Sequence, residues 1–147
     1  AAFLAAARAT DIEKQNIKEK YEAMVSLHLK ADDHVASAIA DIDFHLSITE
    51  ASHNIALLHV TRSIYDVLLN SIKNNLQYLY TIKGIEKQLT QQHKLIMESI
   101  LNGDSNEART AAKKHMEFVN ESLSVMDKEK ERHSRFLQHT SVLSKPQ

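Results

Sequence analysis

A chain of 147 residues with 2 glycines and 1 proline holds little of the material that sheet turns demand, which points to a fold built almost wholly of helix. The absence of cysteine excludes disulfides and thiolate metal ligands and suits a reducing cytoplasm, and no apolar run reaches the ~18 residues of a membrane span. A net charge of −1 argues against nucleic-acid binding by this segment alone, because that requires a basic face.

The length suits one domain with a real core. Ala1 to about Ala9 is a short apolar helix that starts without Met, and it is read as the edge of a piece whose N-terminal part is missing. Thr10-Asp11-Ile12-Glu13 has capping-box spacing, Thr10 and Glu13 each satisfying the other's backbone N–H. A helix from about Asp11 to Leu29 follows, with Ile17, Tyr21, Met24, Val25 and Leu29 along one side. The next, from about His34 to Glu50, carries Val35, Ala38, Ile39, Ile42 and Leu46 as its apolar stripe.

Ala51-Ser52-His53-Asn54 breaks that helix, and Asn54 is a good N-cap for the next. The following helix, from about Ile55 to Tyr80, is apolar on two sides, as expected of a helix buried centrally or shared with a partner chain. A turn at Lys83-Gly84 leads to a helix from about Ile85 to Leu101, stopped by Asn102-Gly103 with Gly103 in the left-handed position. Asp104 then caps a last helix from Ser105 to near Phe136, the charge run Asp127–Arg132 forms a solvated helix end, and 140–147 are expected to fray. The sum is an all-α, antiparallel bundle of about six helices over 1–139.

Nine histidines are present. His28, His34, His133 and His139 fit surface or helix-end positions, and His53 fits a solvated turn. His59 lies beside an apolar face, where it would either line a cavity or stay at the surface. Asp41 and His45 are one helical turn apart and project from one face, at a spacing that lets a carboxylate and an imidazole share one ion. His93 is ten residues before Gly103 and His115 twelve after it. At ~1.5 Å rise per residue they stand at nearly equal depth on two helices joined by a tight turn, and can face each other. Asp41, His45, His93 and His115 are therefore candidate ligands of one borderline divalent metal, zinc first, with nickel and manganese as alternatives. The competing reading is that each is a buried histidine satisfied by a carbonyl or carboxylate.

The segments Asp41-x-x-Phe44-His45, Ala51-Ser52-His53-Asn54, His93, Leu101-Asn102-Gly103-Asp104, Ala108 and His115 together resemble the C-terminal effector-binding domain, the FCD type, of the FadR subfamily of GntR-type bacterial transcription regulators. The likeness runs from about Phe3 to Leu123 and is nearest to regulators of lactate and pyruvate metabolism. It implies a helical bundle preceded by a winged-helix DNA-binding domain, a homodimer, a cytoplasmic location, and metal ligands at Asp41, His45, His93 and His115. In one departure, a Ser-Gly-Asn turn reads Ser52-His53-Asn54. A pocket-facing Arg of the family's first helix falls outside the sequence.

A shell of three imidazoles and one carboxylate leaves positions open for a small carboxylate effector, with the metal as anchor and not as catalyst. Arg62, interrupting an apolar stripe, is a candidate clamp for that carboxylate, or else the partner of an acid such as Asp66, or simply exposed. Asn54 and His59 are further effector-binding candidates, Asn54 fitting a cap better. Two rival classes remain at this level: a metal-dependent hydrolase, for which no second carboxylate converges as a general base, and a structural dimerisation bundle with an empty site.

Overall fold

The computed structural model describes residues 1–28, 34–65, 67 and 85–143. Among the described residues there are six helices and no strand: α1 (Ala2–Arg8), α2 (Asp11–His28), α3 (His34–Glu50), α4 (helical over 55–65), α5 (Ile85–Leu101) and α6 (Ser105–Leu143). The chain is an all-α bundle. The stretch expected to carry α4 on to Tyr80 lies largely outside the described residues, as do Asp66 and the Lys83-Gly84 turn.

The helix starts follow local chemistry. The Thr10 N–H and hydroxyl both donate to Glu13 Oε2 at 2.8 Å, and the Glu13 N–H donates to Thr10 Oγ1 at 3.3 Å, a closed capping box that frees α2 of two unsatisfied donors. The Leu57 N–H donates to Asn54 Oδ1 at 3.1 Å, and the Glu107 N–H to Asp104 Oδ1 at 3.0 Å, so both residues cap the helices that follow them. At the end of α5 the Gly103 N–H donates to the Ile100 carbonyl and the Asp104 N–H to that of Ser99, a Schellman motif with Gly103 at φ +74°. This turn reverses the chain and lays α6 back along α5.

α1 contributes buried Ala2, Ala5 and Ala6 and packs on α3, α5 and α6. α2 buries Ile17 and Met24 against α3 and α5. α3 is buried on two sides. Ala40, Phe44, Ile48 and the following Ala51 join the main core, whereas Ala38 and Ile42 meet Tyr65 of α4. The expected stripe is thus corrected: Ile39 faces out, and Phe44, absent from that stripe, is fully buried. Burying a ring of that size contributes roughly 1.5–3 kcal/mol, more than a typical cap at about 1 kcal/mol, so Phe44 fixes the rotation of α3.

Two further expectations change. Over 55–65, α4 is not central within the chain, since Ile55, Val60 and Ile64 are exposed. α6 passes Phe136 and continues to Leu143, with neither Gly nor Pro from Asp104 to that point to end it. Residues 144–147 lie outside the described residues.

Candidate metal centre

Three helices deliver one cluster. α3 supplies Asp41 and, one turn on, His45; α5 supplies His93 and α6 His115. The equal depth of His93 and His115 from Gly103 becomes a contact, with their Nε2 atoms 3.2 Å apart. His93 Nε2 also lies 3.2 Å from His45 Nε2 and 3.3 Å from Asp41 Oδ1, while Asp41 Oδ2 is 3.9 Å from His45 Nε2. The structure therefore brings Asp41, His45, His93 and His115 together.

The His93 side chain is wholly buried. Phe44, its neighbour in the core, sets its ring edgewise against those of His93, His45 and Tyr21. The ring that fixes the rotation of α3 thus also walls the cluster. Burial lowers the pKa of His45 to about 4. It does the same to His115, with the nearby His45 adding to the effect and the Asp41 carboxylate opposing it. Although 33% of the His45 side chain reaches solvent, its imidazole stands among the rings of Phe44, His93 and His115, which disfavours its charged form.

The polar atoms at the centre crowd around His93 Nε2. His115 Nδ1 lies 3.0 Å from Gln92 Oε1, an acceptor. A neutral imidazole has one N–H, so with that proton on Nδ1 the Nε2 of His115 is a bare lone pair. His93 Nε2 faces this lone pair, His45 Nε2 and Asp41 Oδ1 at once, and it carries at most one proton. One cation could be shared by the imidazole nitrogens that face one another here. The spacing suits it: nitrogens ~2.0–2.1 Å from one ion are about 2.8–3.4 Å apart across the range from octahedral to tetrahedral angles, and 3.2 Å falls within that range. The donor set of His45, His93 and His115 is able to hold a metal ion, and Asp41 adds a hard oxygen beside it.

Two of the three effector candidates, Arg62 and Asn54, are engaged by partners outside the cluster. Arg62 donates through Nη2 to Glu50 Oε1 at 3.0 Å, with 57% of its side chain exposed. The anticipated partner Asp66 lies outside the described residues. Asn54 acts as the α4 cap, and His59 is exposed. His53 is not merely solvated as expected. It adopts φ +50° where the resembling family has Gly, and its Nε2 reaches the Glu13 carboxylate at 2.8 Å. Gln92 was missed by sequence reading; the available signal was its place directly before His93, at the depth where α6 presents His115.

The fold and the cluster together define an all-α bundle with an inward-facing imidazole cluster. The FCD domain model matches residues 1–118, and the chain belongs to the FCD domain family. It is 40% identical over 134 residues, 91% of its length, to the putative L-lactate dehydrogenase operon regulatory protein of Escherichia coli K12, covering 50% of that protein. It is 33% identical over 124 residues to the Glc operon transcriptional activator of the same organism, covering 83% of this chain and 49% of that protein. Against the HTH-type transcriptional regulator LutR of Bacillus subtilis it is 27% identical over 124 residues, 84% of this chain and 55% of that protein. The chain spans about half the length of the curated relatives it matches. These relatives are named as regulators or activators of transcription. No helix among the described residues is long and apolar enough to cross a membrane.

Proposed function

We propose that this chain is the effector-binding and dimerisation domain of a cytoplasmic bacterial transcription regulator, in which Asp41, His45, His93 and His115 hold a divalent metal ion, zinc by its donor set, that anchors a small carboxylate of the lactate or pyruvate kind. The observation that carries this reading is the facing of three imidazole Nε2 atoms at 3.2 Å steps beside one carboxylate. Two of the relatives are named for operons, one of them that of L-lactate dehydrogenase, which favours a small hydroxy or keto acid as the signal.

When bound, the metal supplies a Lewis-acidic position at which a carboxylate can replace water. The protein supplies the rest. Burial keeps His45 and His115 neutral and available as donors. Asp41, a quarter exposed, offsets part of the cation's charge at the solvent edge, where an acid can enter. For Arg62 to engage that acid it must first release Glu50; an exposed pair of this kind holds by only ~0–1 kcal/mol, so the release is cheap. Asn54 is spent as a cap, and the exposed His59 would reach an effector only at the rim.

Because the donors come from α3, α5 and α6, an acid that fits one arrangement of these helices better than another shifts the balance between them. In a homodimer that shift changes the spacing of DNA-binding heads contributed by parts of the protein beyond this chain. The apolar residues exposed on α4 are compatible with a dimer surface. Thermal melting with L-lactate or pyruvate, with and without a chelator, tests the anchor. Stabilisation by the acid is expected only while metal is present; equal stabilisation of chelated protein would contradict it.

A further inference from the structure

We infer that Gln92 is a positioning residue that holds His115 in its Nδ1–H tautomer and so aims the Nε2 lone pair at the centre of the cluster. This inference rests on the metal reading above and concerns a residue outside the ligand set. Gln92 and His115 are on different helices, α5 and α6, and meet at 3.0 Å between Oε1 and Nδ1. Gln92 sits immediately before His93, so α5 presents a donor to the cluster and, from the next position, the acceptor that orients its neighbour. A free imidazole exchanges its proton between the two nitrogens, and only the form bare at Nε2 presents a ligand atom toward His93, 3.2 Å away. An acceptor fixed at Nδ1 removes the wrong form before any ion arrives.

The opposite amide orientation would have the Gln92 NH₂ donate to a bare Nδ1. His115 would then carry its proton on Nε2, turned into the cluster. Two substitutions separate the cases. Gln92→Met keeps the length of the side chain but neither accepts nor donates at that strength, and Gln92→Glu can only accept when ionised. Each is read twice: by ¹⁵N spectra of the His115 ring in chelated protein, and by zinc affinity in competition with a chromophoric chelator.

The wild type is expected to show His115 as the Nδ1–H tautomer. Gln92→Met is expected to populate the Nε2–H form and to bind zinc about 10–100-fold more weakly, the usual loss when an outer partner of a ligand histidine is removed. Gln92→Glu is expected to keep the Nδ1–H form and to bind zinc at least as well as the wild type. Should Gln92→Met fail to fold, Gln92→Ala removes the same acceptor without filling its space. A Gln92→Glu variant that flips the tautomer, or an acceptor-free variant with wild-type tautomer and affinity, overturns the inference. A wild type that takes up no zinc strikes the metal reading instead, and the spectra of chelated protein still decide the tautomer.

Discussion

Two imidazole junctions hold helices together in this bundle, and they differ in almost every physical respect. At the first, His45, His93 and His115 from α3, α5 and α6 turn their Nε2 atoms toward one another, with burial holding two of them near pKa 4. At the second, His53 in the α3–α4 turn reaches the Glu13 carboxylate at the start of α2, with about half of the His53 side chain exposed. The second junction closes by ordinary pairing, since Glu13 accepts from Thr10 and from His53. The first sets imidazole nitrogens against one another, with one carboxylate oxygen 3.3 Å from His93 Nε2. The exposed pair is a structural tie, whereas the role proposed for the largely buried cluster is to hold a cation.

The largest difference should appear on metal removal. A site held at a hundredfold excess over its Kd contributes about 2.7 kcal/mol to stability, which is several degrees in Tm for a chain of this size. A chelator is expected to lower the melting temperature of the wild type and of His53→Ala by that amount, and to leave His93→Ala unmoved. A chelator-insensitive wild type would erase the distinction between the two junctions.

Acid should separate them next. In chelated protein His45 and His115 have folded pKa values of about 4 against an ordinary 6.5, so the unfolded chain takes up their protons first as pH falls. Their contribution is full above pH 6.5 and is lost progressively between 6.5 and 4. Denaturant midpoints are expected to fall through that window, and less steeply in a His45→Ala, His115→Ala double variant. Identical slopes would mean that the two rings are not kept neutral by the fold.

Smaller effects belong to the surface tie. The hydrogen bonds from Thr10, chiefly its backbone N–H, hold the Glu13 carboxyl below its ordinary value. Its contribution is therefore present above the unfolded pKa of 4.5 and lost as pH falls through the lower folded value. Glu13→Ala is expected to destabilise by about 1 kcal/mol at neutral pH, the scale of a lost cap, and to flatten the acid limb; an unchanged midpoint would show that the capping box is idle. Replacing His53 with Gly should nearly cancel. Relief of the left-handed backbone contributes ~1 kcal/mol, loss of an exposed tie removes ~0–1 kcal/mol, and a change beyond ~1 kcal/mol in either direction would show one term misjudged.

What could be read from the sequence follows the same division. The caps at Thr10, Asn54 and Asp104 and the turn at Gly103 depend on a few neighbouring residues, and all are found as expected. The convergence of His93 and His115 followed because a short turn fixes helix register. Packing between distant segments was less legible. Helical spacing alone did not reveal that α3 buries Phe44 while turning Ile39 outward. It also gave no sign of the pairing of Arg62 with Glu50, which is upstream across the Ala51–Asn54 turn. Gln92 and His53 gain their roles only from partners on other helices, which no local pattern names.

Native mass spectrometry of the purified chain, wild type beside His93→Ala, addresses the cluster most directly. One divalent ion per chain in the wild type, absent from His93→Ala and retained in His53→Ala, is the expected result. A wild type without metal, or a His93→Ala protein that keeps its ion, would contradict the claim that these imidazoles and Asp41 enclose one cation.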